Sequence, residues 1–126
     1  MRLVCFGAPE RALADALAVE GCELDVRELE GGTAEGSAAL AAALRSAEAA
    51  LEDAPDAALV TGADDVALAA ALTAVKLGVP TAWAGAEAEE VPLVARVAEL
   101  TVDATRDAAE GARAIRELAQ PRIPPP

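Results

Sequence analysis

The chain has 126 residues, of which 54% are hydrophobic, and it carries a net charge of −12 with a pI near 4.2. This length and composition suit one compact domain, and the negative field disfavours contact with nucleic-acid phosphates. No apolar run is long enough to cross a bilayer, and the N-terminal residues lack a signal-peptide pattern. We therefore expect a cytoplasmic protein without membrane or nucleic-acid partners.

Predicted strands and helices alternate along the chain. Apolar runs that end at glycine predict strands, and alanine-rich amphipathic stretches between them predict helices. The predicted strands cover 2–6, 23–30, 57–61, 79–84 and 100–102, and the predicted helices cover 8–20, 38–53, 65–78, 92–98 and 104–119. The stretch 23–30 alternates charged and apolar residues, which indicates an edge strand. In the helix over 38–53 we expect Leu40, Leu44 and Leu51 on or near one face.

This alternation predicts an α/β fold, a three-layer αβα sandwich with a mostly parallel five-stranded sheet of the Rossmann or flavodoxin type. We assign residues 1–119 to a single domain and 120–126 to a flexible proline-rich tail. A strand order of 2-1-3-4-5, or the Rossmann half-order, places the first and third strands side by side. The turns at Gly7 and Gly62 would then meet at the sheet's carboxyl edge, where such folds bind ligands.

Histidine is absent and there are two cysteines, Cys5 and Cys22. Their spacing matches no metal motif, and no Ser–His or Cys–His nucleophile system is available. We expect buried, reduced thiols in a cytoplasmic protein, and we expect no metal and no cofactor.

Three stretches resemble the UDP-N-acetylglucosamine 2-epimerases. They are FGAPER at 6–11, PDAALVTGADDVALAAAL at 55–72 and GVPTAWAGA at 78–86. They are similar to the family's first loop, its central strand–turn–helix and its following strand, and the Glu89-Glu90 pair is similar to part of a fourth motif. The resemblance runs over residues 2–110 and covers the N-terminal half of the family's enzymes. It implies half of a glycosyltransferase-B-like fold whose other domain holds most of the nucleotide.

The resemblance also implies a reaction by elimination and re-addition of UDP, which needs acid–base carboxylates and cationic groups. Each position that would carry this chemistry is replaced or shifted. Arg11 lies two positions late, Thr61-Gly62-Ala63 stands where the family has His-Gly-Asp, and Asp64 is one step late. Glu87 is the remaining stand-in for a lost glutamate. This pattern predicts a domain without catalysis.

The candidate ligand-binding residues share a place in the turns after the strands. They are Gly7, Arg11, Gly62, Asp64, Asp65, Gly85 and Glu87. Each has a structural alternative: the glycines can simply make turns, and Glu87 can lie in a solvated turn. Asp64 and Asp65 can be a helix N-cap and a first-turn acid. Trp83 can stack on a ligand or pack at the rim of the sheet.

Three functions remain open from the sequence. The first is a non-catalytic epimerase-like module that binds a small molecule or nucleotide-sugar, or serves a regulatory or interaction role, with a homodimer as an option. The second is an epimerase subunit that needs a partner chain for its second domain. The third is an unrelated flavodoxin-like scaffold or signalling domain.

Overall fold

The computed structural model describes residues 1–29, 36–85 and 92–120, and these form a five-stranded sheet with helices on both faces. The strands are β1 (Arg2–Phe6), β2 (Glu23–Arg27), β3 (Ala57–Thr61), β4 (Thr81–Gly85) and β5 (Leu100–Asp103). The helices are α1 (Arg11–Val19), α2 (Ser37–Ala50), α3 (Asp65–Lys76), α4 (Leu93–Val97) and α5 (Ala108–Ala119).

All strand pairs are parallel and their order is β2-β1-β3-β4-β5. The predicted α/β fold, the adjacency of β1 and β3, and the edge position of β2 are therefore confirmed. Cys5 lies between Val26 of β2 and Leu59 of β3 in the register. The chain leaves β1 towards β2 on one side and enters β3 on the other, so the β1–β3 boundary is the topological switch point.

Two apolar layers flank the sheet, because successive strand residues point to opposite faces. Leu3 and Cys5 join the layer that α1 and α5 cover with Leu13, Leu17 and Ile115. On the opposite face, Val4 and Phe6 belong to a second cluster, which α2, α3 and α4 cover with residues such as Ala47, Ala70 and Val94.

The most buried face of α2 is made of alanine, beside the predicted leucine face. The residues of α2 that are buried are Ala39, Ala43, Ala47 and Ala50, whereas Leu40 and Leu44 are half-buried. Alanine at this spacing lets the helix approach its neighbours closely, and the leucines lie beside that contact. Leu51, which follows the helix, is buried.

Several element ends differ from the predicted ones. The first helix begins at Arg11, after Pro9 and Glu10, and β2 ends at Arg27. The last helix begins at Ala108 because Thr105 donates to Asp103 in a turn, after which Asp107 caps the helix. Of the predicted tail, the described part is Gln120, which follows α5; residues 121–126 lie outside the described ranges.

Both cysteines are buried and free, as expected. Burial raises the pKa of the Cys5 thiol to about 12, with smaller contributions from the nearby Asp25 and Cys22. Burial also raises the pKa of Cys22. Within the described ranges, none of the helices has the length and apolar character that a membrane crossing requires.

Candidate ligand-binding cleft

A cleft of about 520 Å³ opens at the carboxyl ends of the central strands. It forms there because parallel strands bring the turns that follow β1, β3, β4 and β5 to the same edge of the sheet. The described residues that line it are Ala8, Glu10, Thr61, Gly62, Ala63, Trp83, Ala84, Gly85, Pro92, Ala104 and Thr105. Two of the sequence-predicted site residues, Gly62 and Gly85, are among them.

The Trp83 side chain is held in place at this cleft by both glycines. Its indole Nε1 donates a hydrogen bond of 2.8 Å to the carbonyl oxygen of Gly62. Its six-membered ring lies against Gly85, two residues further along β4, where an added Cβ would overlap the ring. Gly62 and Gly85 therefore contribute to the cleft by fixing the position of Trp83. The ring packs at the rim of the sheet, which was one of the two interpretations of Trp83.

Gly7 has a different role, since it sets the contact between the ends of β1 and β3. Its φ is +91°, and an added Cβ would overlap the Thr61 hydroxyl. That hydroxyl donates to the carbonyl oxygen of Phe6 at 3.2 Å. Gly7 lines a second groove of about 300 Å³ on the other side of the switch point, together with Arg27, Glu28 and Asp64 among others. Of the sequence-predicted residues, Gly62 and Gly85 thus line the cleft, and Gly7 and Asp64 line the second groove.

Asp64 is the N-cap of α3. Its Oδ1 accepts a hydrogen bond of 2.9 Å from the backbone N–H of Ala67, and Asp65 is the acid of the first turn. Both residues therefore fill the structural role that was the alternative to ligand binding. A ligand anion at the start of α3 would have to compete with the Asp64 carboxylate.

Of the remaining two candidates, only Arg11 belongs to the described residues, and it lines neither the cleft nor the second groove. Arg11 points into solvent with 95% of its side chain exposed, and its nearest acidic partner is Asp15 at 4.0 Å. Glu87 lies outside the described residues, as do Glu89 and Glu90. The sequence prediction that Arg11 would face the cleft is not supported by this geometry, because the first turn of α1 turns its side chain outwards.

Glu10 is the one ionisable side chain among the described residues that line the cleft. In the second groove, Arg27 is engaged by Asp25, whose two oxygens accept its Nε and Nη2 at 3.0 and 2.9 Å. These bonds to Arg27, helped by Arg2, lower the pKa of Asp25. No cationic side chain therefore faces the described part of the cleft, which differs from sites built to bind phosphates.

The lining also determines what chemistry the cleft can support. General acid–base catalysis needs two positioned groups or one group that both removes and returns a proton. A departing diphosphate needs cations or oriented donors. The described lining offers one exposed carboxylate and two hydroxyls, Thr61 and Thr105. Among the described residues no group of three or more metal-ligating side chains comes together.

Ala8 and Glu10 lie in the turn at Gly7 that was expected at this edge of the sheet, whereas the lining residues Pro92, Ala104 and Thr105 were not predicted. Each lies in a turn or at a helix start next to the carboxyl end of a strand. Only this position, and not the residue type, could have indicated that they line the cleft. Applying the rule for open α/β sheets to β5 as well as to β1 and β3 would have identified Ala104 and Thr105.

Structural comparison finds similar chains among UDP-N-acetylglucosamine 2-epimerases. A Listeria monocytogenes protein assigned as such an enzyme matches with a TM-score of 0.59 and 16% identity. The enzyme of Methanocaldococcus jannaschii matches with 0.58 and 20%, and the S. aureus MnaA structure with UDP with 0.57 and 20%. No protein-family model and no curated protein matches the sequence.

These matches cover 90–93% of this chain but 40–42% of the other chains. The chain thus spans less than half the length of the proteins that it resembles in structure, as expected for the N-terminal half that its sequence resembles. The observed strand order also occurs in flavodoxin-like folds, and the similarity to the epimerases concerns the fold. The chain has the α/β fold of the UDP-N-acetylglucosamine 2-epimerases over the part of them that it spans.

Proposed function

We propose that the chain is a non-catalytic, small-molecule-binding domain with the epimerase fold, which serves a binding or regulatory role. The observation that carries this proposal is the lining of the cleft at the carboxyl edge of the sheet. Its described residues combine an aromatic ring, small apolar side chains and hydroxyls with the single carboxylate of Glu10. This composition suits the binding of a small molecule.

The same lining argues against epimerase chemistry. Inversion at a sugar carbon by elimination needs a proton acceptor, a proton donor and stabilisation of the leaving diphosphate. Glu10 is exposed, and the other described residues of the cleft supply neither a second acid–base group nor a cation. Arg11, the nearest arginine in sequence, is exposed and turned away.

A turnover assay with UDP-N-acetylglucosamine tests the proposal. We expect the chain to leave the configuration at C2 unchanged when nuclear magnetic resonance follows the sugar over time. Inversion in proportion to the amount of chain would contradict the proposal, provided that Glu10→Gln abolishes it. Activity that survives Glu10→Gln would point to a contaminating enzyme.

A second candidate is an epimerase subunit whose cleft is completed by another chain. The observation that favours it is the length of the match, 40–42% of the similar chains. Native co-purification from the source cell tests it, because the complex, and not the isolated chain, should then invert C2. Gel filtration of the isolated chain tests the proposed homodimer in the same preparation.

A further inference from the structure

Trp83 is the aromatic side chain of the described cleft lining, and it is fixed before any ligand arrives. Its Nε1 is bonded to the Gly62 carbonyl at 2.8 Å, and its ring lies against Gly85. The side chain is half-buried and packs against the cluster on the α3 face of the sheet. A ring whose rotamer is already fixed loses little conformational entropy when a ligand stacks on it.

The residues around Trp83 leave space beside the ring. Ala8, Ala63, Ala84 and Ala104 line the cleft with single methyl groups. The volume of about 520 Å³ lies in the usual range of ligand pockets, roughly 300–1,000 Å³. The Thr61 hydroxyl is used by the Phe6 carbonyl but keeps the capacity to accept a hydrogen bond. A ring with an apolar face and hydroxyl groups matches such a lining.

The charges around the cleft disfavour anions. Glu10 lines it, and the carboxylate of Asp64 occupies the first turn of α3. The net charge of the whole chain is −12. The carboxylates near the cleft and the net negative charge of the chain would therefore both repel a phosphate group.

We infer that the cleft takes an uncharged ring compound, a sugar or a nucleoside without phosphate, which stacks on Trp83, and that it discriminates against phosphorylated forms of the same ring. This inference rests on the proposed binding function and adds the chemical class of the ligand. It differs from a nucleotide-sugar site, in which a diphosphate supplies much of the recognition.

The fluorescence of Trp83 offers a direct test, because the chain has one tryptophan and no tyrosine. The probes are uridine, UMP and UDP, which share one base and increase in charge, and N-acetylglucosamine as the neutral sugar. We expect at least one neutral compound to change the Trp83 emission in a saturable manner. We expect UDP to bind about tenfold more weakly than uridine, since like charges oppose its approach.

Two variants separate stacking from charge. Trp83→Leu, followed by calorimetry, should weaken binding of the neutral ring by about tenfold because the stacking surface is lost. Glu10→Lys should raise the affinity for UDP relative to the affinity for uridine, because a cation replaces the carboxylate that repels phosphate. Its matched control, Glu52→Lys, reverses an exposed charge at the opposite end of the sheet and should leave both affinities as they are. Glu10→Lys keeps the test decisive if Trp83→Leu does not fold.

The outcomes are distinguishable from those of the proposed function. If UDP binds as tightly as uridine or more tightly, the inferred ligand class is overturned while the binding function stands. Unchanged affinity in both Trp83→Leu and Glu10→Lys would also overturn the inference, because the ligand would then bind elsewhere. If none of the four probes binds, the inference and the proposed binding function both fail.

Discussion

At the scale of single residues, close contacts at the carboxyl edge of the sheet leave no room for side chains at two glycines. Gly7 faces the Thr61 hydroxyl and Gly85 faces the Trp83 ring. Such glycines look like phosphate-binding positions in a sequence, because close backbone approach is a feature of both. In this chain the approaching group is a side chain of the protein itself.

Replacing Gly7 by alanine should lower the free energy of unfolding by about 3 kcal/mol. Strain at positive φ contributes about 1–2 kcal/mol, and overlap with Thr61 adds a similar amount. Gly21→Ala is the matched control, since Gly21 has φ +81° but nothing within 4 Å of an added Cβ. Urea denaturation of both variants measures the difference.

A double-mutant cycle sharpens this prediction. In a Thr61→Ala background the overlapping hydroxyl is gone, so Gly7→Ala should cost about as much as Gly21→Ala, roughly 1–2 kcal/mol. An equal cost of Gly7→Ala with and without the Thr61 hydroxyl would show that the contact does not limit this position.

The Cys5 thiol should make stability depend on alkaline pH. Burial raises its pKa from 9.0 to about 12, so the folded state favours the neutral thiol. The resulting stability is fully present below pH 9 and is lost as pH rises from about 9 towards 12, because the unfolded chain releases this proton first. Urea titrations of the wild-type chain and Cys5→Ala across this window should give a stability difference that changes with pH. A constant difference would contradict the assignment.

Native Cys5 should also resist thiol reagents at pH 8.

At the scale of elements, the helices differ in how they begin. Asp64 caps α3 and Asp107 caps α5 through side-chain bonds, whereas Glu10 makes no cap bond to α1. The sequence predicted the Asp64 cap correctly, because an aspartate after a glycine turn and before an apolar stretch is typical of an N-cap. The start of α1 was predicted too early, because Pro9 and Glu10 do not show which residue caps the helix.

Loss of the Asp64 cap should cost about 1 kcal/mol, because the Ala67 N–H loses its acceptor. The change is Asp64→Ala, and Glu10→Ala is the control with an acidic residue at the same helix position and no cap bond. Thermal unfolding followed by circular dichroism measures both. Equal losses would mean that charge near the helix start, and not the hydrogen bond, is the source of stability.

The alanine face of α2 leads to a second prediction at this scale. Ala47 is fully buried, so Ala47→Leu should destabilise the chain by about 1–3 kcal/mol through overpacking. Leu44→Ala, at a half-buried position on the same helix, should cost less than Ala47→Leu. The opposite ranking in denaturant titrations would show that the leucines, and not the alanines, form the main packing face of α2. The leucine face could not be excluded from sequence, since both sides of α2 are apolar and helix spacing alone does not say which side meets the sheet.

At the scale of the whole molecule, the order of strands and helices was predictable because buried parallel strands are nearly continuous apolar runs bounded by glycine. The location of the cleft also followed, since β1 and β3 had to be neighbours in either expected strand order. Some of the residues that line the cleft could not be predicted from the sequence. Pro92, Ala104 and Thr105 reach it from α4 and the turn after β5, and their residue types give no signal of a ligand site.

Both the net charge of the molecule and the side chains in its cleft disfavour the binding of an anionic ligand. A domain with net charge −12 and no cation among the described cleft residues can hold a neutral ring but has little means to retain a diphosphate. The fold is that of the UDP-N-acetylglucosamine 2-epimerases over this length, and the described side chains at its carboxyl edge agree with the proposed binding function.

The most direct measurement is a titration of the isotope-labelled chain with N-acetylglucosamine or uridine, followed by amide chemical shifts. The account predicts that the perturbed amides cluster at 61–63, 83–85 and 104–105, around the cleft. Shifts confined to the amino edge of the sheet near Gly78 and Glu117, or to the exposed surface of α2 and α3, would contradict it.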